Sequence, residues 1–182
     1  AQFFAIFLLQ KEMFAESNRE YVEDDIYIDN CIRALESEVN GNNDIISMAY
    51  NHDDIIRNHS EGKMSAILTI EDGRSVDDRL DKLKQYYNKG IRLISLTWNF
   101  ENCFGYPNSD DSSIMSKGLK EFGKEAVEYM NEIGMIIDVS HLSDGGFYDV
   151  AKISKKPFIA SHSNARSLSP HKRNLTDDMI RA

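Results

Sequence analysis

The sequence predicts an α/β fold of parallel strands that resembles the middle of a (β/α)₈ barrel. Short apolar runs recur along the 182 residues, and helical patterns lie between them. Strands that are covered on both faces read as continuous apolar runs, and their alternation with helices indicates a parallel sheet. A complete barrel takes about 250 residues. We therefore expect about five of the eight βα units, in a single domain over residues 1–182 that is truncated at both ends.

The first part of the chain is predicted to hold two strands and two helices. Residues 2–9, QFFAIFLL, are apolar on both faces. Residues 19–39 carry an approximate apolar stripe that ends before Gly41, as is typical of a helix. A second helix is predicted over residues 44–57. The run MSAILTI over residues 64–70 is predicted to be a strand, which places Glu71 at its carboxyl end.

The second part is predicted to continue the alternation up to a last strand. Two serines are expected to cap helices because their hydroxyls can accept from free backbone N–H groups. The predicted elements are a helix capped by Ser75 that ends at Tyr87, a strand over 91–97, a helix over 116–133, a strand from 135 to His141, a helix over 144–153 capped by Ser143, and a strand from Pro157 to His162.

An open, doubly wound sheet is the alternative architecture. The sequence contains no GxGxxG and no GxxxxGK[ST], so the nucleotide-binding forms of that fold are disfavoured. The barrel interpretation accounts for the same alternation without such a motif.

Composition narrows the possible partners and compartment. The net charge is −9 and the pI is about 5.0, which argues against nucleic acid and anionic membranes as partners. No apolar run approaches the roughly 20 residues of a membrane span. The opening AQFFAIFLL lacks the basic region of a signal peptide. Cys31 and Cys103 form no CxxC pattern, so we expect reduced thiols and a cytoplasmic location.

Three predicted strand ends carry metal-ligating side chains: Glu71, His141 and His162. In parallel α/β folds the carboxyl ends of the strands face the ligand site. Two histidines and a carboxylate are a common ligand set for catalytic zinc. Each residue also has a purely structural interpretation. Glu71 could cap a helix or pair with Arg74, and either histidine could be satisfied by neighbouring polar groups.

Other candidate residues are less informative. His52, His59 and His171 lie among polar residues and are expected to be solvated. A catalytic triad of Ser140, His141 and Asp138 is excluded, because no GxSxG motif is present and adjacent strand residues point to opposite faces.

Several segments together resemble the membrane dipeptidase family, peptidase family M19. The matching segments are AQFF, IEDGRS, GIRLISLTWN, IIDVSH, ASHSNARS and KRNLTDDMI. The resemblance implies a barrel of the metallo-dependent hydrolase type that holds two zinc ions. Glu71 matches the bridging carboxylate, and His141 and His162 match the histidines of the second zinc. Arg173 matches the arginine that binds the terminal carboxylate of the substrate.

The resemblance also implies an activity, namely zinc-dependent hydrolysis of dipeptides by a metal-activated hydroxide. The family's His-x-Asp pair and general-base Asp are not in these 182 residues, so we assign no catalytic residue within them and expect that Asp downstream. Trp98 stands where mammalian members have a histidine, and Asn99 or Asn102 is expected to take over the role of that histidine. Trp98, Asn99 and Asn102 are all expected to contribute to substrate binding. The resemblance allows a homodimer. The alternatives are an amidohydrolase acting on cyclic amides and a catalytically silent binding protein.

Overall fold

The computed structural model describes residues 1–10, 13 and 20–182. They form two compact units. The first unit spans Ala1–Ile70 and Gly90–Arg92, and the second spans Glu71–Lys89 and Leu93–Ala182. The single-domain organisation stays a prediction. Within the described ranges, no helix is both long enough and apolar enough to cross a membrane.

The first unit is built around strand β3, which is hydrogen-bonded to β1 and β2. The β2–β3 pairing is parallel, with Ile46 opposite Met64. Apolar side chains of this unit, such as Ile28 and Leu68, are fully buried. Its elements are β1 (Gln2–Phe7), α1 (Asp24–Gly41), β2 (Ile46–Met48), α2 (His52–Ser60) and β3 (Met64–Glu71), whose last residue belongs to the second unit.

The predicted helix over residues 44–57 is wrong. A strand, β2, occupies its first part, and α2 begins only at His52. The reason is the N-terminal cap of α2: Asn51 accepts from the backbone N–H of Asp54, and the Asp54 carboxylate accepts from the N–H of Tyr50, the residue before the cap. The predicted strands at residues 2–9 and 64–70 are confirmed with small changes of boundary. The predicted start of the first helix, residue 19, lies outside the described residues.

The second unit contains two parallel strands and several helices. Strand β4 starts in the first unit at Ile91 and continues in the second from Leu93. Within the second unit it pairs with β5, and Ser95 lies opposite Asp138. The elements are a 3₁₀ helix (Gly73–Val76), α3 (Leu80–Asn88), β4 (Ile91–Ser95), α4 (Ser112–Met115), α5 (Glu121–Ile133), β5 (Ile136–Asp138), α6 (Asp144–Ile153) and α7 (Asp177–Arg181).

Three predicted boundaries in this unit need correction. Ser75 does not cap a helix, because it is buried inside the 3₁₀ turn. The helix predicted over 116–133 begins at Glu121, and the strand predicted to reach His141 ends at Asp138. The cap of α6 is confirmed, since Ser143 accepts from the N–H of Gly146.

The predicted last strand, from Pro157 to His162, is reduced to one parallel bridge between Ile159 and Asp138. Beyond it, the N–H of Ser161 donates to the Asp138 carboxylate and the N–H of His162 donates to the Ser140 hydroxyl. Side-chain oxygens accept from these two backbone N–H groups, which would otherwise donate to the carbonyl groups of a neighbouring strand. The chain therefore leaves the sheet there.

Candidate metal centre

Glu71, His141 and His162 lie together in the second unit. Glu71 is the last residue of β3, and the two histidines follow β5 and the Ile159 bridge. The Oε1 atom of Glu71 is 3.4 Å from Nε2 of each histidine. The two Nε2 atoms are 3.0 Å apart. Three donors that are far apart in the sequence therefore point at one position.

The opposite nitrogen of each imidazole faces an oxygen atom. Nδ1 of His141 is 3.1 Å from Oδ1 of Asn99. Nδ1 of His162 is 2.7 Å from Oγ of Ser161. An N–H at each Nδ1 leaves a lone pair on each Nε2. Two such lone pairs facing each other across 3.0 Å repel, and a cation held by both nitrogens would remove this repulsion.

The separations of the three donors fit a metal ion. Ligands about 2.0–2.1 Å from a tetrahedral zinc ion lie about 3.3–3.4 Å from one another. The triangle of Glu71, His141 and His162, with sides of 3.0, 3.4 and 3.4 Å, is close to this spacing. These three residues are a group that could hold a metal ion. The donor set of two imidazoles and one carboxylate also suits zinc.

The protonation states suit ligands as well. The pKa of Glu71 lies below its usual value, mainly because the carboxylate interacts with His141. Burial of the carboxylate opposes this effect. Burial lowers the pKa of His162 and the Arg173 guanidinium lowers it further, whereas Glu71 raises it. At neutral pH, Glu71 is therefore ionised and His162 is neutral. These are the forms that bind metal.

Asp138 forms a fully buried polar centre beside the site. Its Oδ1 accepts from the backbone N–H groups of Ser140 and Ser161, and its Oδ2 accepts from the hydroxyls of Ser95 and Ser161. Burial by itself would raise the pKa of Asp138. The four hydrogen bonds outweigh burial and hold the pKa below its usual value. Asp138 is therefore a buried, ionised hydrogen-bond acceptor.

His141 adopts a backbone conformation that is uncommon for its residue type. Its φ is 69°, in the left-handed region. Its carbonyl accepts from both the backbone N–H and the side-chain amide of Asn108, at 2.7 and 2.9 Å. Such conformations persist where the surroundings enforce them, often at functional sites. Asn108 thus fixes the backbone that directs the His141 imidazole.

Arg173 lies on the loop that follows His162. One of its Nη atoms donates to the His162 carbonyl at 3.4 Å. Its Nε is buried and has no hydrogen-bond partner among the described residues. The loop is held by Arg166, whose guanidinium makes a two-pronged ion pair with Asp144 at 2.7 and 2.8 Å and donates to the Asn174 carbonyl. The guanidinium of Arg173 is therefore carried beside the candidate ligand His162 by an anchored loop.

The remaining predicted site residues occupy different surroundings. The ring of Trp98 lies 6.3 Å from that of His141 between centroids. Asn99 contacts the same histidine through Nδ1. Asn102 donates to Asp72 and to the Leu96 carbonyl, so its amide hydrogens are engaged inside the loop. Trp98 and Asn99 border the candidate centre, and the substrate-binding role of all three stays a prediction.

Sequence reasoning missed the residues that support the candidate ligands: Asp138, Ser161, Asn108 and the orienting contact of Asn99. Of these residues, only Ser161 could have been predicted from the sequence to contact a candidate ligand, because it directly precedes His162. The structural interpretation of that pair, a hydroxyl that satisfies the imidazole, is confirmed, and the metal interpretation stays a prediction. The hydroxyl faces Nδ1 and the candidate centre faces Nε2.

Comparison with known proteins identifies relatives of the chain. An uncharacterized dipeptidase of Schizosaccharomyces pombe is 36% identical over 140 residues, which cover 76% of this chain and 34% of the relative. The crystal structure of the dipeptidase AC, an M19 metallo peptidase, has a TM-score of 0.81 at 26% identity. A metallo peptidase from Rhodobacter sphaeroides, crystallised with a phosphinate mimic of the dipeptide L-Ala-D-Ala, has the same score at 24% identity and shows the fold alone.

Both solved structures match over 98% of this chain and 56% of their own length. The chain thus spans about a third of the curated relative and just over half of the solved proteins. The predicted α/β fold of parallel strands, part of a barrel, is confirmed. The profile of the membrane dipeptidase family matches residues 1–182. The chain therefore belongs to the membrane dipeptidase family, peptidase family M19.

Proposed function

We propose that this protein is part of a zinc-dependent hydrolase that cleaves dipeptides. The single observation that carries the proposal is the convergence of Glu71 Oε1, His141 Nε2 and His162 Nε2 within 3.4 Å of one another. The family membership and the dipeptidase name of the S. pombe relative support the same activity.

Glu71, His141 and His162 would hold one metal ion. When bound, the metal supplies Lewis acidity toward the peptide carbonyl and activates the attacking water. Glu71 has two carboxylate oxygens, and only Oε1 is accounted for by the two histidines. We therefore keep the expectation of a second zinc ion that shares Glu71. The homodimer and the cytoplasmic location stay predictions.

Arg173 would orient the substrate through its terminal carboxylate. A guanidinium matches a carboxylate with two parallel hydrogen bonds. The buried Nε of Arg173 lacks a partner among the described residues, and a buried donor without a partner is costly. A carboxylate ligand would satisfy it. Because Arg173 also contacts the His162 carbonyl, the carboxylate would be held close to the metal, which restricts substrates to very short peptides.

The test is an activity assay with added Zn²⁺ on the full-length protein that contains this chain. The substrates are a dipeptide, the same dipeptide with its carboxylate amidated, and a cyclic amide. We expect hydrolysis of the free dipeptide, loss of activity with a chelator, and poor turnover of the amidated form. Turnover of the cyclic amide alone would support the amidohydrolase alternative, and no turnover with full zinc content would support a silent binding protein.

A matched pair of variants ties the activity to the ligands. His162→Ala is expected to lose bound zinc and activity together. His59→Ala, on α2 in the first unit, is expected to keep both. Full zinc occupancy in His162→Ala would remove this residue from the ligand set and contradict the proposal.

A further inference from the structure

We propose that Asp138 and Ser161 are positioning residues that hold His162 in one tautomer, with the proton on Nδ1 and the lone pair on Nε2. The proposal rests on the proposed metal-binding role of His162. Its basis is a chain of two short hydrogen bonds. Oγ of Ser161 is 2.7 Å from Nδ1 of His162 and 2.7 Å from Oδ2 of Asp138.

The direction of each hydrogen bond follows from the donors available. The Asp138 carboxylate is fully buried and receives four hydrogen bonds, so it acts only as an acceptor. The hydroxyl of Ser161 has a single hydrogen, and Asp138 takes it. Toward His162, Ser161 can therefore only accept. Nδ1 of His162 must carry the proton.

The contacts of the neighbouring Ser140 are consistent with these hydrogen-bond directions. The Ser140 hydroxyl accepts from the backbone N–H of His162 at 3.1 Å and lies 3.3 Å from the Ser161 hydroxyl. Its own hydrogen is thus available to Ser161, which has a second lone pair to receive it. Every hydroxyl then has a defined role, and the network has one arrangement of protons.

The network fixes the geometry of the ring as well as its tautomer. The backbone N–H of Ser161 donates to Oδ1 of Asp138 at 2.9 Å. Both the backbone and the side chain of Ser161 are therefore bound to one buried carboxylate. An oxygen acceptor on the other ring nitrogen of a ligand histidine sets its tautomer and orientation, and its loss costs 10–100-fold in metal affinity, as an order of magnitude.

Asp138→Asn gives the sharpest test because it retains the shape of the side chain and reverses the donor and acceptor roles in the hydrogen-bond network. The amide of Asn can donate to the Ser161 hydroxyl, and Ser161 can then donate its hydrogen to Nδ1 of His162. This favours the tautomer with the proton on Nε2, which cannot bind metal through that nitrogen. Nitrogen-15 NMR of the imidazole distinguishes the two tautomers in metal-free protein, and a competition titration measures the affinity for Zn²⁺.

The expected result is a protonated Nδ1 at His162 in the wild type, a protonated Nε2 in Asp138→Asn, and an affinity for Zn²⁺ that is about 10–100-fold lower. Ser161→Ala removes the acceptor and is expected to lose affinity by a similar factor. Ser161→Thr keeps the hydroxyl and is expected to restore both the tautomer and the affinity.

Ser95→Ala is the matched control, because it removes another hydroxyl donor from the same oxygen of Asp138. It should retain the wild-type tautomer. Circular dichroism identifies variants that fail to fold, and Ser161→Ala decides the question if Asp138→Asn is one of them. An unchanged tautomer and affinity in folded variants would overturn this proposal. Failure of the wild type to bind any metal would overturn the proposed function instead, and the NMR experiment on metal-free protein would still decide the tautomer.

Discussion

The Nε2 atoms of His141 and His162 lie 3.0 Å apart, and the opposite nitrogen of each ring faces an oxygen atom. With an N–H at each Nδ1, the lone pairs of the two Nε2 atoms face each other and repel. Glu71, 3.4 Å from both nitrogens, adds negative charge. The three side chains are thus arranged so that they could hold a cation.

Metal binding should therefore stabilise the folded protein. A ligand present at 100 times its Kd that binds only the folded state adds about 2.7 kcal/mol to the free energy of unfolding. We expect a rise of this order on addition of Zn²⁺, measured by urea unfolding, and its reversal by a chelator. His162→Ala should lose most of the rise. His52→Ala, whose side chain is 82% exposed, should keep it, and an equal rise in both variants would contradict the ligand assignment.

Arg173→Ala should raise KM for dipeptides and leave zinc content unchanged. Hydrogen bonds to a charged group contribute about 1.5–3 kcal/mol, which corresponds to roughly a 10–100-fold higher KM. Arg173→Lys should recover part of this, because an ammonium retains the charge and loses the planar fork. The control is Lys172→Ala, which removes the neighbouring cation paired with Asp110. An unchanged KM in Arg173→Ala would refute the role.

Gly123→Ala should destabilise the second unit. A Cβ at this position on α5 would collide with the backbone carbonyl of Phe104, which cannot move as a flexible side chain can. Overpacking of this kind costs about 1–3 kcal/mol. Gly105→Ala is the matched control, since its Cβ would meet Leu119 at an ordinary 3.5 Å. It should leave the stability unchanged or raise it by up to about 1 kcal/mol. Urea unfolding of both variants is the measurement. Equal stabilities would show that the Phe104 carbonyl leaves room for a Cβ at position 123.

Asp54→Asn should reduce stability at neutral pH and have little effect in acid. The hydrogen bond from the Tyr50 N–H, followed by the interaction with Arg57, holds the pKa of Asp54 below its usual 3.8 against the effect of burial. A group whose pKa is lower in the folded state stabilises the protein above its unfolded pKa, and this contribution is lost as pH falls through the folded pKa.

The expected difference from wild type is about 0.5–1 kcal/mol at pH 7, the usual range for a capping contact. This difference in the free energy of unfolding should become progressively smaller below about pH 4. Denaturant unfolding between pH 7 and pH 2 measures it. Asp53→Asn, whose side chain is 97% exposed, serves as the control and should differ less from wild type at pH 7. A difference that grows toward acid pH would mean that the sign is wrong.

The sequence itself determined the parallel α/β character and the three metal-ligand candidates. Apolar runs such as MSAILTI form buried strands because a strand covered on both faces excludes polar side chains. Glu71, His141 and His162 could be predicted because a strand's carboxyl end follows from where its apolar run stops. The helix predicted over 44–57 failed because the N-cap at Asn51, with its hydrogen bond to Asp54, starts the helix there regardless of the apolar residues before it.

Only the tertiary structure decided how the ligands are oriented. His141 meets Asn99 across 42 positions of sequence, and Ser161 meets Asp138 across 23. No local pattern encodes such contacts, because hydrogen bonds depend on distance and angle to within a few tenths of an ångström. Those values arise only when the parallel strands take their register and the loops beyond them close. The tautomer of His162 is therefore set by the packing of a buried carboxylate.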